Sequence, residues 1–160
     1  METSLFDFIE AYQSEDIIGP PLRSLNHSRL INRIGVALDR YDDAYDVFPE
    51  LELNLSTGKC KPDVSIYTNL PIDWLNDTVF YTQPPIVAIE ILSPRQALTD
   101  LTDKALKQYF PGGVQVVWLV IPTTRIVQIM LPDASIQTWS SGVLKDPITG
   151  MELDLSYLFR

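Results

Sequence analysis

The sequence predicts a mixed α/β domain, a central sheet covered by helices. Three observations predict it. Residues 86–92 and 116–121 are runs that are apolar on both faces, apart from one glutamate, as strands covered on both sides must be. Between them lies a helical pattern that ends at Pro111-Gly112-Gly113, giving a strand–helix–strand unit. Ahead of both, Leu30, Ile31, Ile34, Ala37, Leu38 and Tyr41 recur at helical spacing and supply a second apolar helix face.

The elements follow in order. Residues 1–20 carry Leu5, Phe8, Ile9 and Tyr12, a short helical pattern closed by Gly19-Pro20-Pro21. A helix is expected over 27–41, started by Ser24 or Asn26 as a cap. Leu51, Leu53 and Leu55 alternate with Glu50, Glu52 and Asn54, which predicts a half-buried strand. Ser56-Thr57-Gly58-Lys59 reads as a hairpin turn into a second strand over 60–67. Residues 68–85 read as loop. After the strand at 86–92, Ser93-Pro94 stops the chain, and Thr99 or Asp100 caps a helix through Phe110 with Leu101, Ala105 and Tyr109 inward. The strand at 116–121 leads into a β-rich C-terminal part, with strands over 125–131 and 135–139 and an alternating tail at Met151, Leu153 and Leu155. We divide the chain into an N-terminal extension, 1–25, packed on a single domain, 26–160.

Composition bounds the chemistry. A chain of 160 residues with 46% apolar content can bury a real core as one domain. The longest apolar runs are far short of the ~20 residues that span a bilayer, and no secretory signal is visible, so a cytoplasmic protein is expected. The 12 basic and 21 acidic residues leave a net charge of −9, concentrated in the N-terminal third; residues 90–125 are the least acidic. Cys60 is the one cysteine and His27 the one histidine, which excludes internal disulfides, cysteine-rich zinc sites and two-histidine metal motifs. There is no Gly-x-Ser-x-Gly elbow and no glycine-rich phosphate loop. Any metal would be held mainly by carboxylates, which favours Mg²⁺ or Mn²⁺.

Three residues stand out. Glu90 interrupts a strand that is otherwise apolar, and a buried carboxylate has to be paired, protonated or bound to a cation. Asp63 follows Pro62 at a bend of the second strand, where the missing amide hydrogen suggests an edge or bulge. Lys104 lies one turn into the helix after Glu90. Taken singly, each has an ordinary reading: a buried salt bridge, a turn aspartate, and a surface lysine paired with Asp100. Together they place two carboxylates on adjacent strands and a lysine on the following helix. Two such carboxylates repel unless a cation lies between them. A divalent ion solves that and activates water, and a lysine nearby can orient the water or stabilise charge on a phosphate. That is equipment for phosphodiester hydrolysis.

The order Pro62-Asp63, Ile89-Glu90-Ile91-Leu92-Ser93-Pro94, Asp103-Lys104, Tyr109, Gly113-Val114 and Trp118-Leu119-Val120 resembles the Uma-type restriction endonucleases of the PD-(D/E)xK nuclease superfamily, over about residues 27–159. The resemblance implies a restriction-endonuclease-like fold, with a mixed central sheet flanked by helices. It implies that Asp63, Glu90 and the backbone carbonyl of Ile91 hold Mg²⁺ or Mn²⁺. It also implies that Lys104 replaces the lysine usually found two residues after the glutamate, where this chain has Leu92.

Other candidates rank below these. His27 reads as a polar group at a helix start. Glu50 and Glu52 share a polar strand face that could line the cleft, and Ser93 could bond near Glu90. Lys59, Lys61, Arg95 and Lys107 could touch phosphates, and Trp118 and Trp139 read as core or interface. The expected function is a metal-dependent endonuclease acting on DNA, with Asp63, Glu90 and Lys104 as its catalytic set. The fold's habits suggest a homodimer, and no membrane partner is expected. Two other readings stand beside it. A non-catalytic protein-interaction module that retains the nuclease fold is favoured by the charge of −9 and by Leu92. An enzyme of the same fold could also act on RNA or a phosphorylated small molecule.

Overall fold

The structure, a computed structural model, describes residues 23–160. The expected helical pattern at residues 1–20 lies outside the described residues.

Helix α1 (Leu25–Leu38) starts where Ser24 places its side-chain oxygen on the His27 amide, 3.1 Å away, satisfying one of the helix's free N–H groups. Its buried stripe is His27, Leu30, Ile34 and Leu38. The expected helix ends three residues early, because Asp39–Tyr41 tighten into a 3₁₀ turn. Strand β1 (Tyr45–Pro49) was not expected: it is half-buried from Tyr45 to Phe48 and exposed at Pro49, so it shows no alternation. The hairpin turns at Ser56-Thr57 between β2 (Leu53–Leu55) and β3 (Gly58–Cys60). The single strand expected over 60–67 is two strands. β3 stops at Cys60, and β4 (Val64–Thr68) begins after Lys61-Pro62-Asp63 in a different sheet. Pro62 has no amide hydrogen for a ladder, and the break sets Asp63 at the margin of the main sheet.

Strand β5 (Val87–Ile91) is followed by α2 (Leu98–Lys104), a π-helical turn (Ala105–Tyr109) and β6 (Val116–Ile121). Helix α2 begins before the expected caps: the Asp100 carboxylate reaches back to the Ala97 amide, 3.2 Å away. Gly113, at φ +106°, makes the reversal into β6 that a side chain would strain. Strands β7 (Ile126–Met130) and β8 (Ile136–Trp139) complete the sheet. β9 (Val143–Lys145) pairs with β10 (Glu152–Asp154), and the one-turn helix α3 (Leu155–Leu158) ends the chain.

The six-stranded sheet has the order β1-β4-β5-β6-β7-β8. β5 and β6 are parallel, and the other neighbours are antiparallel. Alternation sorts its side chains into two cores. Val87, Ile89 and Ile91 of β5, with Val116, Trp118 and Val120 of β6, pack against Leu30, Ile34 and Leu38 of α1 and Leu155 and Leu158 of α3. Ala88, Val117 and Leu119 face Leu101, Ala105 and Tyr109, together with Leu53 and Leu55 of the hairpin. No helix among the described residues is long and apolar enough to cross a membrane.

Beneath the first core, Asp146 is fully buried. It accepts from the Trp118 indole at 2.6 Å, from the amides of Ile148 and Thr149, and from the Thr149 hydroxyl. Asp146→Ala would orphan the indole and both amides, and should lower stability by about 2–4 kcal/mol, measured by urea denaturation.

Candidate active site

The β4–β5 register pairs Val64 with Ile89. One step back along β4 and one step forward along β5 set Asp63 across from Glu90. Both are buried, at 4% and 5% exposure, although they are ionisable. The Ile91 amide donates to Asp63 Oδ2 at 2.7 Å, tying the Asp63 carboxylate to the end of β5. The Glu50 amide donates to the Asp63 carbonyl at 3.0 Å, fixing its backbone from the other side.

Helices supply the remaining contacts. From α1, His27 Nε2 lies 2.8 Å from Asp63 Oδ1. A carboxylate only accepts, so this ring nitrogen carries the hydrogen. Arg23 stands at the same edge, 3.6 Å from Asp63 Oδ1 and 2.8 Å from Glu50 Oε1. From the other layer, Lys104 Nζ lies 3.3 Å from Glu90 Oε1, and the Tyr109 hydroxyl donates to the same oxygen. Residues five apart point to different sides of a regular α-helix. The π-helical turn widens the helix, and both side chains reach Glu90.

Burial pushes the Glu90 carboxyl up to about 7; Lys104 opposes this, Asp63 adds to it, and the Tyr109 bond opposes it. Burial and the adjacent Glu90 push the Tyr109 phenol far up, so it stays a donor. Burial likewise raises the Cys60 thiol to about 11, leaving it protonated and a poor nucleophile. The Glu90 shift has a stability consequence. From about pH 4.5 to about 7 the folded chain holds a proton that the unfolded chain has released, so this group's contribution makes the fold less stable as pH rises through that window. Glu90→Gln removes that slope. Its stability in urea, relative to the unsubstituted chain, should rise between about pH 5 and about pH 8 by about 1–3 kcal/mol in the absence of metal.

The donor set suits a hard cation. The carboxylates of Asp63, just before β4, and of Glu90 on β5 face one region, and proximity to Asp63 raises Glu90, so a positive charge there relieves both. Glu90 Oε2 receives no hydrogen bond from the described residues. Among those residues no cluster of three or more Asp, Glu, His or Cys converges. The two carboxylates match Mg²⁺, which binds through one or two carboxylates and keeps several waters.

A family model described as Uma2, "Putative restriction endonuclease", matches residues 9–154. The chain belongs to the Uma2 family. The Uma2 chain superposes with a TM-score of 0.72 on the crystal structure of a "putative nuclease belonging to DUF820" from Anabaena variabilis ATCC 29413. The two are 23% identical, and the match covers 92% of this chain and 88% of that one. The restriction-endonuclease-like fold, with its mixed sheet between helices, is therefore present as expected. A cryo-EM structure of a DrdV–DNA complex aligns with a TM-score of 0.40 and 12% identity, over 71% of this chain and 12% of that one. No curated protein matches.

The structure brings Asp63, Glu90, Ile91 and Lys104 of the Uma2 chain together. Lys104 pairs with Glu90, and no ion pair to Asp100 forms among the described residues. Leu92 lies half-buried against the second core. Glu50 borders the site through Arg23, whereas Glu52 is directed to Lys61 at 3.6 Å. The Ser93 amide bonds Gln96, not Glu90. Lys59 sits 4.3 Å over the Phe80 ring, and Lys107 is 3.7 Å from Asp103. Trp118 is core, and Trp139 packs at the core's edge. Sequence reasoning missed the contacts of His27 and Tyr109 with the carboxylates. The signal was present for both: each continues an apolar helical stripe, His27 with Leu30 and Ile34, Tyr109 with Leu101 and Ala105.

Proposed function

We propose that this chain is a divalent-cation-dependent endonuclease that hydrolyses phosphodiester bonds in DNA. The observation that carries it is the buried pair of Asp63, just before β4, and Glu90 on the adjacent β5, with the Lys104 ammonium 3.3 Å from Glu90. Membership in a family described as restriction endonucleases supports it.

Asp63, Glu90 and the Ile91 carbonyl would hold Mg²⁺ or Mn²⁺. When bound, the cation supplies positive charge to the phosphodiester and makes water a competent nucleophile near neutral pH. Glu90 would hold the cation as a carboxylate, through Oε2, the oxygen that receives no hydrogen bond from the described residues. Lys104 is bonded to Oε1 and partly open to solvent, so it can hold the attacking water or donate to a phosphate oxygen as negative charge builds. The water oxygen would bond to phosphorus and give up a proton to solvent, the opposite P–O bond would break, and the leaving oxygen would take a proton from solvent. Cys60 and His27 play no nucleophilic part. The net charge of −9 favours the second reading, a protein-interaction module on the same fold.

Supercoiled DNA, structured RNA and a small phosphodiester, each with Mg²⁺, Mn²⁺ or chelator, separate these readings. We expect DNA cleavage that chelation abolishes. Cleavage confined to RNA or the small ester would replace the substrate, and cleavage of none would favour the interaction module.

A further inference from the structure

Among the described residues, four hydrogen-bond donors meet the two carboxylates in the core of the site, and they are not alike. The Ile91 amide is backbone and Lys104 is partly exposed, whereas His27 and Tyr109 are buried side chains from opposite layers of the fold. His27 comes from the first turn of α1 on one side of the sheet, and Tyr109 from the π-helical turn on the other. Each spends its polar hydrogen on one oxygen of one carboxylate: His27 Nε2 on Asp63 Oδ1, and Tyr109 Oη on Glu90 Oε1.

A carboxylate on a short side chain is free to rotate about its last torsion, and its lone pairs lie in its plane. Asp63 is held at both oxygens, by His27 and by Ile91, so its plane is fixed. Among the described residues Glu90 is held at Oε1 alone, which leaves Oε2 as the oxygen without a donor there. Buried donors that fix ligand orientation in this way typically set metal affinity by about 10–100-fold. A histidine placed only to fill the core would be matched there by an apolar residue. At this position the ring nitrogen meets the carboxylate at hydrogen-bonding distance, on the stripe that otherwise holds Leu30, Ile34 and Leu38.

We propose that His27 and Tyr109 are positioning residues, one for each carboxylate, that orient Asp63 and Glu90 toward a shared divalent cation. This rests on the reading of Asp63 and Glu90 as cation ligands.

The test is a Mn²⁺ titration of the full chain followed by electron paramagnetic resonance, with thermal melts of each protein taken without metal. His27→Leu and Tyr109→Phe should weaken Mn²⁺ binding by about 10–100-fold. His27→Gln, whose amide nitrogen reaches about as far as Nε2, should recover most of the His27→Leu loss. A merely structural role would lower the melting temperature and leave the affinity of the folded protein unchanged, and that result would overturn the proposal. Loss from only one of the two positions would overturn it for the other. Asp63→Asn separates the two levels. If it abolishes binding while His27→Leu and Tyr109→Phe bind like the unsubstituted chain, positioning fails and the cation site stands. If the unsubstituted chain binds no Mn²⁺, both fail. Should His27→Leu not fold, His27→Phe, which keeps a ring there and removes both nitrogens, takes its place: normal affinity in it overturns the role of His27, and normal affinity in Tyr109→Phe overturns that of Tyr109.

Discussion

Asp63→Asn should reduce metal-dependent DNA cleavage on the order of 10³-fold while the chain stays folded. The substitution keeps size and shape and removes one of the two negative charges that would draw the cation. The asparagine oxygen can still accept from the Ile91 amide, 2.7 Å from the present Oδ2. Its nitrogen then faces His27, whose ring accepts in the other tautomer, so no donor is left pressed against a donor. The fold therefore loses little while the site loses a ligand. Far-ultraviolet circular dichroism and a urea midpoint close to the unsubstituted chain, beside cleavage rates at saturating Mg²⁺, check both halves. Cleavage within a few-fold of the unsubstituted chain would remove Asp63 from the site.

Lys104→Met should lower cleavage on the order of 10²-fold or more, and the loss should deepen as pH falls. Methionine keeps an unbranched stem of similar reach and deletes the ammonium. Two effects then add. The donor that serves the water or phosphate is gone. The charge that holds the Glu90 carboxyl down is gone as well, so Glu90 rises above its present value of about 7 and competes for a proton over a wider range. A rate profile from about pH 6 to about pH 9 should show the acidic limb of Lys104→Met displaced to higher pH. Equal rates across that range would return Lys104 to an ordinary surface role.

The legible parts of this fold are those where burial is one-sided or complete. The runs at β5 and β6 announce central strands because helices cover both of their faces, and α1 shows its stripe because only one side of it is buried. β1 was illegible for the opposite reason: an edge strand half-buried at nearly every position has no period to read. The division of residues 58–68 into two strands was signalled by Pro62. Only the tertiary pairing shows that the proline separates two sheets and does not bend one strand. The site follows the same logic. Glu90 was legible as a charge in an apolar run, and Asp63 and Lys104 by their order around it. His27 and Tyr109 were hidden because a polar tip at a buried helical position gives no sign of its partner until the layers pack. The π-helical turn that joins Lys104 and Tyr109 at one oxygen has no sequence period of its own.

Metal-dependent cleavage is proposed to depend on Glu90 and Asp63 together. The most direct measurement of this is cleavage of supercoiled plasmid with Mg²⁺ or Mn²⁺ by the unsubstituted chain and by Glu90→Gln, purified identically and run with a chelator control. We expect cleavage by the first alone, abolished by chelation. Equal cleavage by both proteins, or cleavage that survives the chelator, would contradict it.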